Sequence, residues 1–145
     1  MVELASAPPG ANNPSATGPG AILSLKHVFG LSSDVTSNVR FLDESVFLYP
    51  AGNQIVIYNA ETKSQRFIHG VEAASPVAVA SGESGISAIA VAPKDRKYVA
   101  VAERGERACV SVFNVHTLKR TRASLVSSDC GSKQFVSLCF SYDQR

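Results

Sequence analysis

Short runs of aliphatic and aromatic residues recur along the chain, and clusters of Gly, Pro, Asn, Asp and Ser separate them. From Val39 onward such runs follow one another closely, at residues 39–42, 46–49, 54–58 and 66–68. Runs of this length between turn residues are typical of β-strands. No apolar stripe at helical spacing appears. The pattern therefore predicts an up-and-down four-stranded antiparallel sheet over residues 38–70.

The same order of runs recurs at a period of about fifty residues. It predicts strands at residues 86–92, 98–101, 109–113 and 121–126, and a third unit begins with the run at 135–141. The third predicted strand of each unit ends in an aromatic residue and an asparagine, with a threonine three positions later: Tyr58-Asn59-Ala60-Glu61-Thr62 and Phe113-Asn114-Val115-His116-Thr117. An asparagine side chain can accept hydrogen bonds from the backbone that follows it, so both segments are predicted to be tight turns.

Repeated four-stranded units of this length indicate an all-β fold made of β-propeller blades. We predict two complete blades, about 38–70 and 86–126, and the first strand of a third blade at about 134–145. An all-β sandwich is the alternative, and it would not require the two units to match. A closed ring typically needs four to eight blades. Because two blades alone would expose apolar sheet, residues 21–145 are predicted to be the N-terminal part of a larger propeller.

The N-terminal residues differ from the rest in composition. Residues 5–20 are uncharged and rich in Ala, Pro, Gly, Asn and Ser, so residues 1–20 are predicted to be a disordered tail. Residues 22–28 form a short strand pattern, for which our hypothesis is the closing strand of the last blade. The N-terminus lacks the features of a secretory signal, and no apolar run is long enough to span a bilayer.

Charge and cysteine content narrow the classes of partner and compartment. The net charge is +2, from 14 basic and 12 acidic residues, which gives no electrostatic reason to expect nucleic acid or an anionic membrane. The three cysteines have no CxxC spacing, and Cys109 and Cys139 lie within apolar strand patterns as small hydrophobic residues. These features favour a reducing, intracellular setting.

At the two aromatic–Asn turns the chain resembles a WD repeat, whose third strand ends in Trp-Asp, two further residues and Thr. The chain has no tryptophan, so the hydrogen-bond network of strong WD repeats does not carry over. A closer resemblance is carried by residues 133–141 and by a group within 38–70: Asn38, Phe41-Leu42-Asp43-Glu44, Tyr49-Pro50, Gly52-Asn53, Val56-Ile57-Tyr58-Asn59, Lys63, Gln65-Arg66-Phe67-Ile68 and Gly70. This group is similar to the first blade of the large cilia- and flagella-associated WD-repeat proteins linked to inner-arm dynein positioning on axonemal doublet microtubules.

Catalytic and metal-binding patterns are absent from the sequence. His27, His69 and His116 have no carboxylate or cysteine at ligand spacing, and Gly82-Glu83-Ser84-Gly85 lacks the spacing of a nucleophile elbow. We therefore predict no catalytic, metal-binding or cofactor-binding residues and no cofactor. Lys119, Arg120 and Arg122 are candidate protein-contact residues on an outer strand. A solvated edge strand, where charge discourages aggregation, is the alternative interpretation.

The resemblance implies a non-catalytic scaffold in the cytoplasm and cytoskeleton, located in the axoneme of a cilium or flagellum. Its partners would be other axonemal proteins, such as inner-arm dynein subunits, tubulin and coiled-coil proteins, without a small-molecule substrate, nucleic acid or membrane. Two alternatives stay open. One is a propeller-fold hydrolase whose site lies in blades outside this chain, and the other is a nucleic-acid-associated WD-repeat adaptor.

Overall fold

Two four-stranded antiparallel sheets dominate this computed structural model, which describes residues 2–6, 21–69, 85–105, 108–122 and 131–142. A separate two-stranded sheet comes first in the chain and consists of β1 (Val2–Ser6) and β2 (Ala21–Leu25). The first four-stranded sheet has the order β3 (Arg40–Phe41), β4 (Val46–Ala51), β5 (Gln54–Asn59) and β6 (Ser64–His69). The second has the order β7 (Gly85–Val91), β8 (Tyr98–Arg104), β9 (Cys109–Asn114) and β10 (Arg120–Arg122).

In both four-stranded sheets every strand pairs with its neighbour in the chain, as an up-and-down blade requires. The β4–β5 hairpin is closed by Gly52 and Asn53, and Ala51 pairs with Gln54. Gly52 has a φ of 60°, which glycine adopts without the steric cost that a Cβ atom would add. The predicted four-stranded units are therefore confirmed, with fourth strands at Ser64–His69 and Arg120–Arg122.

The hydrophobic core lies between the two four-stranded sheets. One face of the first sheet and one face of the second form a single cluster of buried residues, which also includes Val35 and Val115 from the adjoining loops: Leu48, Ile55, Ile57, Ile68, Ile86, Ile89, Val99, Val101 and Phe113. The loop before β3 also reaches the second sheet, where Thr36 forms a parallel bridge with Ala88 of β7. Packing sheets face to face through aliphatic side chains is the arrangement of neighbouring propeller blades.

The predicted first strand of a third blade, residues 135–141, does not form. Residues 131–142 contain no strand. Their backbone hydrogen bonds to the loop between β8 and β9 lie near the start of this segment: Lys133 O accepts from Gly105 N at 3.1 Å, and Ser132 O accepts from Ala108 N at 3.2 Å. A strand needs a hydrogen-bonded neighbour, and the described residues place none beside this segment. Cys139 is consequently exposed, whereas Cys109 is buried as predicted.

The N-terminal residues also differ from the prediction. Val2–Ser6 lies within the segment predicted to be disordered, but it pairs in antiparallel register with Ala21–Leu25. The backbone hydrogen bonds of a partner strand offset part of the entropy lost on ordering, which composition alone does not reveal. Residues 7–20 lie outside the described residues. Assignment of residues 22–28 to the last blade of a ring stays a prediction.

Candidate interaction surface at the turn end

One end of the two sheets carries the loops that follow the first and third strands of each blade, and we call it the turn end. Its loops are residues 42–45 and 60–63 of the first blade, and 92–97 and 115–119 of the second. In the first blade Ala60 N donates to Ser45 O at 2.8 Å. In the second blade Val115 N donates to Lys97 O at 2.9 Å. The same backbone contact therefore joins the two loops in both blades.

The repeated asparagines organise these loops as the sequence predicts. Asn59 Oδ1 accepts hydrogen bonds from Glu61 N and Thr62 N, both at 2.9 Å. Asn114 Oδ1 accepts from His116 N at 2.9 Å and from Thr117 N at 3.1 Å. The residue after each threonine has positive φ, 53° at Lys63 and 59° at Leu118. The two turns thus share both their side-chain hydrogen bonds and their backbone conformation.

The turn end is divided by charge between the blades. The first blade contributes exposed acidic residues, Asp43, Glu44 and Glu61, next to Lys63. The second blade contributes mostly exposed basic residues, Lys94, Arg96, Lys97 and Lys119, next to Asp95. The candidate contact residues Lys119, Arg120 and Arg122 lie on and beside β10, the outer edge strand of the second sheet, and all three are exposed. An exposed edge strand fits both interpretations given from the sequence.

Two arginines connect the blades at this end. Arg66 Nη1 on β6 donates to His116 O at 3.5 Å, and Arg96 Nη1 donates to Leu42 O at 3.4 Å. Both hydrogen bonds are long, so each is a weak contact. At the opposite end Arg104 forms an ion pair with Asp34 of the loop before β3. The hydrogen bond from Arg104 holds the pKa of the Asp34 carboxyl below its ordinary value of 3.8.

The outward face of the first sheet is aromatic. Phe47 lies 5.8 Å from Phe41, 6.1 Å from Tyr49 and 5.3 Å from Tyr58, measured between ring centroids. Burial raises the pKa of the Tyr49 hydroxyl, and the neighbouring Tyr58 adds to the rise. Gln65 lies on the same face and binds both backbone groups of Val28: its Oε1 accepts from Val28 N at 2.7 Å and its Nε2 donates to Val28 O at 3.1 Å. The segment after β2 is therefore attached to this face.

A buried polar contact lies inside the second sheet, and the sequence patterns did not indicate it. Cys109 Sγ donates to Glu103 Oε2 at 3.5 Å, and the two residues pair across β8 and β9. Glu103 is 6% exposed. A charged residue at the end of an apolar strand run is ordinarily read as solvent-facing, so only the three-dimensional pairing shows this contact.

The described ranges contain no cluster of three His, Cys, Asp or Glu side chains that could hold a metal ion. No helix that could cross a membrane occurs in the described part of the chain either. Of the three histidines, His27 stacks on Phe29 at 6.2 Å, and His69 and His116 are exposed. What the surface offers is thus a set of exposed charged loops and an edge strand.

Two stacked four-stranded meander sheets with matched turns define part of a β-propeller, and this confirms the predicted fold class. The relatives of the chain are cilia- and flagella-associated proteins. It is 35% identical over 121 residues to cilia- and flagella-associated protein 57 of Mus musculus, over 82% of this chain. It is 30% identical over 123 residues to cilia- and flagella-associated protein 57 C of Tetrahymena thermophila, over 81% of this chain, and 34% identical over 100 residues to cilia- and flagella-associated protein 44 of Mus musculus, over 69%.

These relatives are much longer than the chain, which spans 9% of the first two and 5% of the third. No protein-family profile matches the chain. Among solved structures, a chain in the crystal structure of the mitotic checkpoint complex aligns with 88% of this chain and 35% of its own length, at a TM-score of 0.44 and 8% identity. The sequence relatives confirm the resemblance to cilia- and flagella-associated proteins.

Proposed function

We propose that this chain forms part of a non-catalytic scaffold in the axoneme of a cilium or flagellum, where its propeller blades dock onto other axonemal proteins. The observation that carries the proposal is the 35% identity to a cilia- and flagella-associated protein over 82% of the chain. The fold supports it, because propeller blades present loops and edge strands around a rigid core and so offer broad contact surfaces.

The contact surface that we assign to this scaffold consists of Arg120 and Arg122 of β10 and of Lys119, which directly precedes β10; all three are exposed, and we call them the basic strand. Three neighbouring cations on an edge strand favour an acidic partner surface, such as that of tubulin in doublet microtubules. Positioning of inner-arm dyneins would follow from holding a fixed place on the doublet. Catalysis forms no part of the proposal.

The test uses the complete protein in a ciliated cell from which the native copy has been removed. The triple variant Lys119→Glu/Arg120→Glu/Arg122→Glu is compared with the wild type for ciliary localisation and for salt-dependent co-sedimentation with purified doublets. We expect the triple variant to bind doublets about tenfold more weakly, a loss of about 1.4 kcal/mol. Cryo-tomography of the axonemes then shows whether inner-arm dyneins lose their regular spacing.

The matched control reverses three exposed charges elsewhere, Lys26→Glu/Lys63→Glu/Lys133→Glu. Wild-type protein that stays outside the cilium would overturn the scaffold proposal as a whole. Equal doublet binding by the two triple variants would overturn the assignment of the basic strand alone. Tighter binding to RNA or DNA than to doublets, or turnover of a hydrolase substrate, would replace the proposal by one of the two alternatives.

A further inference from the structure

A cavity of about 440 Å³ opens where the edge strands of the two blades meet residues 138–140. Its lining includes Arg40 and Phe41 of β3, Pro93 and Arg96 of the loop after β7, and Leu138 and Phe140. The cavity lies next to the turn end but apart from Lys119, Arg120 and Arg122, which are on the opposite edge of the second sheet.

The cavity is positively charged. Two guanidinium groups line it, and no carboxylate of the described residues does. Arg40 Nε is buried and has no hydrogen-bond partner among the described residues. The guanidinium of Arg96 makes the long contact to Leu42 O at 3.4 Å. Because an unsatisfied buried donor is costly and a guanidinium matches a carboxylate in geometry, both arginines favour a carboxylate ligand.

The remaining walls are apolar, and some of them are open to solvent. Leu138 and Phe140 are half-buried, and Pro93 is exposed. An exposed apolar wall beside two cations suits a ligand that carries both a carboxylate and an apolar group.

We propose that this cavity binds an acidic peptide segment of a protein partner. One carboxylate of the peptide binds Arg40 and Arg96, and a neighbouring apolar side chain packs against Leu138 and Phe140. Lys94 and Lys97, exposed on the same loop as Arg96, extend the positive surface along the peptide. The proposal concerns a second site and holds independently of the role proposed for the basic strand.

Nucleic acid fits the cavity less well than a peptide does. A nucleic-acid backbone crossing this end would pass the exposed carboxylates of Asp43 and Glu44, which begin two residues after Phe41. Those carboxylates would repel successive phosphates, whereas a peptide with one or two acidic residues at the cavity avoids them. The apolar walls also add nothing to contacts with phosphates.

The test measures binding of a fluorescein-labelled peptide, Glu-Glu-Phe-Glu-Glu-Leu, to the full chain by fluorescence anisotropy. Three competitors probe the chemistry: the same peptide with Gln in place of Glu, oligo-glutamate without apolar residues, and a single-stranded oligonucleotide of equal charge. We expect Arg96→Gln and Arg40→Gln each to weaken binding about tenfold, the usual scale for a charge-assisted hydrogen bond to a carboxylate. Arg96→Lys retains the charge and is expected to recover part of the loss.

Arg66→Gln is the matched control, because Arg66 is an exposed arginine that makes a similar long contact, 3.5 Å to His116 O, outside the cavity. It is expected to change peptide affinity less than twofold. Since Arg96 is exposed, its Gln variant should fold even where Arg40→Gln does not. Wild-type affinity in Arg96→Gln, equal binding of the Gln peptide, or tighter binding of the oligonucleotide would each overturn the proposal.

Discussion

At the scale of single residues, the two repeated asparagines show how much a short sequence pattern can predict. Asn59 and Asn114 each accept two backbone hydrogen bonds within three residues of themselves. Contacts this local depend little on the rest of the molecule, so the spacing in the sequence was enough to predict both turns. The two asparagines differ in exposure: Asn114 is only 8% exposed, whereas Asn59 is half-buried.

Replacing either asparagine by alanine is expected to destabilise the chain. Asn59→Ala should lower the free energy of unfolding by about 1 kcal/mol, and Asn114→Ala by about 2 kcal/mol, since water replaces the lost acceptor less readily at the buried position. Urea denaturation of the full chain measures both. Asn59→Asp and Asn114→Asp retain an oxygen acceptor and serve as controls. The turn assignment would be contradicted if the Asp and Ala variants lost equal stability.

The ion pair between Asp34 and Arg104 predicts a pH dependence. Because Arg104 lowers the folded-state pKa of Asp34 below its ordinary value of 3.8, the pair stabilises the fold above that pH. The contribution is lost as the pH falls through the lowered pKa. Asp34 is exposed, so solvent screening limits the effect of Asp34→Asn at neutral pH to less than about 1 kcal/mol.

The measurement is a double-mutant cycle between Asp34→Asn and Arg104→Gln. The free energy of unfolding of each protein is measured by denaturation at neutral pH and at stepwise lower pH. We expect Asp34→Asn to destabilise the wild type at neutral pH and to have no effect on the Arg104→Gln background. The same pH-dependent loss in both backgrounds would mean that Arg104 is not the partner responsible.

At the scale of elements, the register of the sheets shows that the two blades are equivalent. Tyr58 and Phe113 occupy the same position at the end of the third strand, next to the repeated asparagines. Phe113 is 5% exposed and belongs to the core between the two sheets. Tyr58 points to the corresponding face of the first sheet, where it joins the aromatic cluster around Phe47. Of the two equivalent aromatic residues, Phe113 therefore packs between the sheets in the described structure.

The core between the sheets predicts which aliphatic residues matter for stability. Ile57 is 2% exposed and lies in this core, so Ile57→Ala is expected to lower the free energy of unfolding by about 2–5 kcal/mol. Val39→Ala removes aliphatic atoms from a residue that is 41% exposed, so it should cost less than about 1 kcal/mol. Chemical denaturation of the two variants checks the difference. Similar losses would contradict face-to-face packing of the sheets.

At the scale of the whole molecule, the two sheets form a segment of a ring. The outer face of the first sheet and the outer face of the second carry different types of side chain. The first sheet presents aromatic residues, Phe41, Phe47, Tyr49 and Tyr58. The opposite face of the second sheet carries the small residues Ala88, Ala90, Ala100 and Ala102, which are at most 8% exposed. In the second blade the face equivalent to the aromatic one packs against the first sheet. A further blade would cover the aromatic face of the first sheet in the same way in a longer protein.

Local patterns in the sequence were enough to predict the strands of the two four-stranded sheets, their order and the two asparagine turns, because the apolar alternation and the turn hydrogen bonds act over a few residues. The sequence did not show that residues 135–141 lack a strand, since strand formation there depends on a hydrogen-bonded neighbour. The contacts between distant residues could be seen only in the tertiary structure. Arg104 and Asp34 are 70 positions apart in the sequence, and Arg96 and Leu42 are 54 positions apart. Such contacts, and the cavity between Arg40 and Arg96, exist only once packing of the sheets brings separate blades together.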